Sequence, residues 1–341
     1  TVVTLLRLLD HVQPVVARIV QGLYELEVTL RPRDAYLRDR GRVYLLLGRR
    51  ERLLHAEVVC LLEVVLRIAE VYLVGEEWSD DAEIVDKYAS GIDSLFAFRF
   101  AQSSGEIVQS MSMNKGAALI KKFVSYDKKM SEANPEYINA VFLSNHDQVR
   151  IANALESKGL DYEKFAASVY MLFPGNSFTY YGEEIGMIGA GNDPSKRAPM
   201  YWNADRDNGT TMLPPGCVLP DMGYTLGSYE EQKNDAGSIY NYYREAIAIR
   251  NGLPVIARGK SVPEDTLNVA CVTAVRKTWN DQQCIIIMNI DDDEAGTTVD
   301  LSSYSDWKLV ASLSVSEQTV SQEGNSLKLP AYGIAILVPH N

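Results

Sequence analysis

Histidine and cysteine are scarce: the 341 residues hold four of each. Cys60, Cys217, Cys271 and Cys284 stand far apart, without the paired spacing of a zinc site or the density of a disulfide-stapled scaffold. Cys271 and Cys284 fall on what read as neighbouring strands, but a tight turn at Asn280-Asp281 does not set them opposite each other. Buried free thiols are therefore expected. Basic residues are outnumbered, 33 Lys and Arg against 45 Asp and Glu, giving a net charge of −12. That balance argues against a nucleic-acid partner, whose phosphates call for a basic surface. It leaves room for a neutral polymer. No apolar run approaches the ~18 residues of a membrane-spanning helix, so no membrane partner is expected. Arginine interrupts the opening Thr1-Val2-Val3-Thr4-Leu5-Leu6-Arg7, which is not the layout of a signal peptide.

The first 68 residues lack more. They contain 11 Arg but no Lys, Ser, Asn, Phe or Trp, whereas the remainder has 8 Arg, 14 Lys and abundant Ser and Asn. Such a switch is unusual within one compact domain. One reading is an Arg-rich amphipathic helical region, which the spacing of Leu61, Leu62, Val65 and Leu66 allows. The other is translation in a wrong frame, or foreign sequence.

From about residue 69 the chain becomes an ordinary globular sequence. Val71-Tyr72-Leu73-Val74 is a short apolar run of the kind that forms a buried parallel strand, and it ends in Gly75-Glu76-Glu77-Trp78. Ile92–Phe98, Ala140–Leu143 and Phe178–Tyr181 read as further strands. Helical patterns alternate with them: one starting at Asp80-Asp81, then Lys115–Tyr126, Ile151–Lys158, Tyr162–Met171 and Ser238–Asn251. Strands alternating with helices imply parallel βα units, here strands five to eight of a (β/α)₈ barrel spanning residues 69–258. Gly189–Tyr229, rich in Gly, Asn, Asp and Pro, is expected to be a long loop at the catalytic face. Residues 259–341 carry short, evenly spaced apolar runs around a Trp279–Gln282 turn, the pattern of an antiparallel β-sandwich. That domain is expected to have a core of its own.

Val74-Gly75-Glu76-x-Trp78 and Asn145-His146-Asp147, in this order, resemble the α-amylase family of glycoside hydrolases. Phe173-Pro174-Gly175 with Tyr180-Tyr181-Gly182-Glu183-Glu184-Ile185-Gly186 is similar to the family's eighth-strand segment. Arg197-Ala198-Pro199-Met200-Tyr201-Trp202 is similar to a motif that often follows it. The resemblance implies a retaining hydrolase of α-glucans or α-gluco-oligosaccharides, a TIM-barrel catalytic domain and a terminal β-sandwich. Glycoside cleavage needs two carboxyls flanking the scissile bond, about 5–5.5 Å apart in retaining enzymes. The resemblance makes Glu76 the proton donor, partly buried beside Trp78, with Glu77 its competitor. Asp147 becomes the carboxylate that stabilises the oxocarbenium ion, and His146 a hydrogen-bond partner of the sugar. Asn145 either binds sugar or holds the loop. Arg197 and Trp202 shape far subsites, with a loop-anchoring ion pair the alternative for Arg197.

The family's nucleophile stands on strand four in Arg-x-Asp-Ala, and no Arg-x-Asp occurs in this chain. Asp10, Asp34 and Asp39 do not fit its pattern, so the nucleophile is unassigned. Gly48-Arg49-Arg50-Glu51 is what the codons TTG GAC GCC GCG AAA give when read two bases late. In frame they spell Leu-Asp-Ala-Ala-Lys, the family's strand-four wording. The family's usual calcium ligands are also missing, so no metal is assigned. A non-catalytic carbohydrate-binding or interaction protein on the same fold is the alternative function.

Overall fold

The computed structural model describes residues 37–39, 42–44, 72–78, 89, 91–113, 115–205, 211–219, 226–267 and 271–340. The chain divides into two compact units, residues 1–73 and 74–341. In the first, β1 (Leu37–Asp39) and β2 (Arg42–Tyr44) pair antiparallel, with Leu37 opposite Tyr44. The helical expectation is corrected at these positions: the two runs pair as strands, and β-branched Val43 with aromatic Tyr44 favours extended backbone. The rest of that expectation, with Cys60, the strand-four region and the helix expected from Asp80, lies outside the described residues.

In the second unit β3 (Val74–Gly75), β4 (Ser94–Leu95), β5 (Ala140–Phe142) and β6 (Asn176–Phe178) form one parallel series. Gly75 pairs with Leu95, Phe96 bridges to Ala140, and Val141 pairs with Ser177. The helices are α1 (Glu106–Ser112), α2 (Gly116–Ala133), α3 (Ile151–Leu155), α4 (Leu160–Met171), α5 (Asp193–Lys196), α6 (Tyr229–Gln232), α7 (Ile239–Gly252) and α8 (Pro254–Arg258). This is the expected half of a (β/α)₈ barrel, but the expected buried fifth strand is corrected: it is only Val74–Gly75, and Tyr72, Leu73 and Val74 are exposed.

Side chains alternate across the sheet as the pleat requires. Leu95, Ala97, Val141 and Leu143 join the core under the helices, with Phe100, Phe123, Phe165 and Phe173. Phe96, Phe98 and Phe142 face the other way with Phe178 and pack edge to face, with ring centroids 4.9–5.5 Å apart.

The eighth strand starts and ends earlier than expected. The β5–β6 ladder closes at Phe142 opposite Phe178, and Thr179–Tyr181 leave the sheet. Tyr180 and Tyr181 are drawn outward because their hydroxyls donate to the carbonyls of Lys196 and Ala198. The long loop is also less irregular than expected, since it contains α5, capped by Asn192 Oδ1 accepting from the Ser195 N–H at 3.1 Å.

Residues 260–339 form two antiparallel sheets. Five strands run in the order β11 (Trp307–Leu313), β14 (Ile334–Pro339), β9 (Gln282–Asn289), β8 (Val272–Trp279), β7 (Lys260–Pro263). Three run β10 (Thr297–Asp300), β13 (Ser326–Leu329), β12 (Ser321–Glu323). Strands β7 and β12 were not foreseen, since each offers few apolar positions. Lys277, not Cys271, stands opposite Cys284. The described cysteines are free thiols; Cys284 is buried, while Cys217 and Cys271 are half-buried.

The five-stranded sheet has two dry faces. Ile285, Ile287, Ala335 and Leu337 face the three-stranded sheet and close the sandwich core with Val299, Leu327 and Leu329. Ile286, Met288, Ile334 and Ile336 point the other way and share the core of the barrel helices. Two further features tie the faces. Buried Lys277 Nζ donates to the carbonyls of Leu172 (2.6 Å) and Ile256 (2.8 Å). Gly116, first residue of α2, approaches β8 so closely that an added Cβ would lie 2.9 Å from Thr273 Cβ. Overpacking of that kind costs about 1–3 kcal/mol.

One face of the sheet thus closes a core within the sandwich and the other does not. Residues 259–341 expressed alone are expected to show β-rich circular dichroism, yet to self-associate and melt below the intact chain. Replacing Ile286 and Ile336 with threonine should relieve the association. A monomeric fragment melting at the temperature of the intact chain would show that the shared face is dispensable.

Candidate active site

Because β3 to β6 are parallel, everything that follows their carboxyl ends lies at one mouth of the half-barrel. Glu76, Glu77 and Trp78 follow β3, Ser144 to Asp147 follow β5, and Thr179 to Tyr181 follow β6. Past β3 the exposure alternates: Glu76 and Trp78 are exposed and Glu77 is half-buried. Trp78 stacks on Phe98 at 4.8 Å, with 19° between the ring planes, and Phe98 belongs to the aromatic layer inside the sheet. Glu76 shares its parity with Trp78, while Glu77 has the opposite parity. The expected partial burial of Glu76 is corrected: Trp78 spends its face on Phe98 rather than on the carboxyl. Trp78, Phe98, Arg99, Gln102, Glu106 and Gln148 line a groove of about 440 Å³ beside them.

Asp147 is held on all its polar atoms. Its carboxylate takes an ion pair from Arg197 on Oδ1 and faces His146 Nε2 at 3.3 Å on Oδ2. Its backbone N–H donates to Asn145 Oδ1 at 3.0 Å, and its carbonyl accepts from Lys196 Nζ at 3.0 Å. Asn145 Oδ1 also accepts from the Gln148 N–H, so the contacts present at Asn145 are those of a side chain holding the turn. Arg197, with Asp193 at 3.9 Å on its other side, makes the ion pair that was the alternative to a subsite role. The pair is partly exposed and contributes at most about 1 kcal/mol to stability. Its use is to fix the direction of the Asp147 carboxylate.

Trp202 is half-exposed and meets Tyr229 edge to face at 5.8 Å. With Tyr181, Arg197, Met200, Thr211 and Met212 it lines a second groove, of about 270 Å³. Asp147, His146 and Arg197 are therefore brought together, with Trp202 in a groove that shares Arg197. Among the described residues no group of three His, Cys, Asp or Glu side chains is arranged to hold a metal ion. No described helix is long and apolar enough to cross a membrane.

Two buried residues that support this mouth were read only as structure, or not singled out, in the sequence. Arg150 is fully buried; its Nη1 donates to the Tyr181 carbonyl (2.6 Å) and its Nε to the Lys196 carbonyl (3.1 Å). The guanidinium lies 4.5 and 4.7 Å from the ring centres of Tyr180 and Tyr181. It joins the loops after β5 and β6 to α5. The other is Glu183, held in a 3₁₀ turn between Gly182 and Gly186, which both take left-handed backbone angles. A Cβ at Gly182 would strike Met187. The Asn-His-Asp-x-x-Arg spacing and the doubled glutamate between glycines were the available signals.

Burial pushes the carboxyl of Glu183 up to about 8, against the hydrogen bond from Ser144, which pulls it down. Glu163 on α4 is pushed up to about 8 by burial as well. Each binds its proton more tightly folded than unfolded. The stability each confers is thus complete below about pH 4.5 and is lost as pH rises to about 8. The slope is up to about 1.4 kcal/mol per pH unit for each group. Lys277, pushed down to about 7 by burial, acts in the opposite sense above that pH. Variants are therefore to be compared at matched pH. Urea melts from pH 6 to 8.5 are expected to show a smaller loss for Glu183→Gln and Glu163→Gln than for the parent chain. Identical pH dependence in all three would contradict the assignment.

Residues 50–259, more than half of the chain, match the family model of the alpha-amylase catalytic domain. The match begins some twenty residues before the first motif that carries the resemblance, and it ends at the start of β7. Alpha-amylase 3 of Dictyoglomus thermophilum is 32% identical over 225 residues, 65% of this chain and 43% of that protein. Alpha-amylase SusG of Bacteroides thetaiotaomicron is 25% identical over 276 residues, 78% of this chain and 38% of that protein. The solved structure of Eubacterium rectale Amy13B superposes with a TM-score of 0.75 at 33% identity, covering 82% of this chain and 55% of that one. The chain thus spans less than half the length of these curated relatives.

Proposed function

Because this chain belongs to the alpha-amylase family, we propose that its site is that of a retaining glycoside hydrolase acting on α-glucans or α-gluco-oligosaccharides. In this reading Glu76 protonates the leaving oxygen, and Asp147 stabilises the positive charge that develops on the sugar ring. His146 and Arg197 keep the Asp147 carboxylate aimed, and His146 also meets a sugar hydroxyl. Trp78 and Trp202 offer ring faces or edges to sugars on either side. The observation that carries the reading is the common mouth: a parallel sheet presents Glu76 and the Arg197–Asp147–His146 set from one end.

The attacking carboxylate belongs to strand four, and no residue of this chain fits its motif. The chain as it stands is therefore impaired in the first chemical step. That same absence supports a second reading, a carbohydrate-binding protein that has lost catalysis. The deciding experiment is a chimera in which the first half-barrel of Amy13B precedes residues 69–341. It is expected to release reducing sugar from starch, maltose or isomaltose. A folded chimera that binds maltooligosaccharides and cleaves none of these substrates would favour the binding protein.

A further inference from the structure

Glu183 is 1% exposed, yet its carboxyl is committed to the one residue that begins the Asn145-His146-Asp147 turn. Oε1 accepts from the Ser144 backbone N–H at 3.1 Å and from the Ser144 hydroxyl. The reason lies in the sheet. The β5–β6 ladder ends at Phe142 and Phe178, so the Ser144 N–H has no strand partner on that side. On the other side the Leu143 carbonyl is still held, by the Gln102 N–H at 2.8 Å. Glu183 replaces the missing rung. Its other oxygen faces the Tyr170 hydroxyl at 3.5 Å, which in turn bonds Thr179 Oγ1 at 2.7 Å, just past β6.

We propose that Glu183 is a positioning residue: by fixing Ser144 it sets the direction in which His146 and Asp147 are presented at the mouth. The proposal rests on the hydrolase reading for its purpose, though not for its geometry. Burial favours the neutral carboxyl, against the Ser144 hydrogen bond, which favours the charged one. Ser144 supplies two donors to one oxygen, and Tyr170 meets the other. Arg150 on the one side and Glu163 and Glu184 on the other act on it through space with opposite signs. A neutral carboxyl is matched in shape by a carboxamide, whose oxygen can accept both Ser144 donors. Glutamine should therefore keep the turn and leucine should lose it.

The test uses the 341-residue chain with ¹⁵N-labelled histidine. Only four histidines contribute signals, and His146→Asn identifies those of His146. In Glu183→Gln the His146 ring signals are expected to coincide with the parent's. In Glu183→Leu they are expected to be lost from those positions while the signals of the other histidines stay. A folded Glu183→Leu chain with unmoved His146 signals, even one with a lowered melting temperature, overturns the proposal, because a merely structural role gives that result. Should Glu183→Leu fail to fold, Ser144→Ala removes one of the two bonds. It is expected to displace His146 in the same direction, and unmoved signals there overturn the proposal equally. In the active chimera Glu183→Leu should lower kcat about 10²-fold with KM little changed, as misplacement by about 1 Å does. Glu183→Gln should stay within a few-fold. A chain that binds no maltooligosaccharide would sink the hydrolase reading and leave the histidine result standing.

Discussion

In the chimera that supplies a first half-barrel, Glu76→Gln is expected to cut starch cleavage by about 10²–10⁴-fold and to spare an α-glucoside with an acidic phenol leaving group. A glycosidic oxygen must be protonated as the bond breaks, whereas a stable phenolate leaves without help. The gap between the two substrates therefore measures general-acid assistance alone. Glu77→Gln should cost much less on both substrates, since Glu77 has the opposite parity to Trp78 and is half-buried. The measurement is kcat/KM for both variants on both substrates. Leaving-group dependence in Glu77→Gln and not in Glu76→Gln would move the acid by one residue. Its absence from both would remove the chemical role from the end of β3.

The chain by itself is expected to turn over aryl α-glucosides no faster than background. The double displacement starts with attack by a strand-four carboxylate, and no Arg-x-Asp occurs in the 341 residues. Groups that act as a unit lose most of their rate when one is removed, and what is left comes from binding and electrostatic stabilisation. Comparison of the chain with the chimera on one aryl glucoside should show a loss of at least about 10⁴-fold, the scale seen when a catalytic unit loses its nucleophile. Rates near those of the chimera would mean that a carboxylate of residues 1–68 serves as nucleophile despite its unfamiliar surroundings. The nucleotide sequence is the companion measurement. An uninterrupted frame through Gly48-Arg49-Arg50-Glu51 would dismiss the out-of-frame origin of that segment.

Elements with regular apolar patterns were legible in the sequence to within a few residues. Helices α4 and α7 and strand β5 are of this kind, because one residue in two or in three to four must be buried whatever lies around it, whereas α2 was legible at its start and runs on to Ala133, beyond the expected Tyr126. Short edge strands were not legible. Lys260–Pro263 and Ser321–Glu323 are paired on one side only and carry little apolar signal of their own. The end of the eighth strand was misplaced because Tyr180 and Tyr181 look like strand residues. Their hydroxyls and Arg150 pull them into the loop, through partners distant in sequence. Asn145 and Arg197 were each left with two readings for the same reason: a hydrogen bond to Asp147 or to sugar asks for the same side chain.

The sequence by itself determined the parallel order of strands, the terminal sandwich and which carboxylates stand at strand ends. Those follow from local periodicity and from the residues that interrupt it. Only the tertiary structure decided what holds those carboxylates. The ion pair of Asp147 with Arg197 spans fifty positions, and the bond of Ser144 to Glu183 spans thirty-nine. It also decided that Glu163 and Glu183 are buried. Nothing in a glutamate's immediate neighbours says whether it will face water, since burial is set by elements that pack over it from elsewhere in the chain.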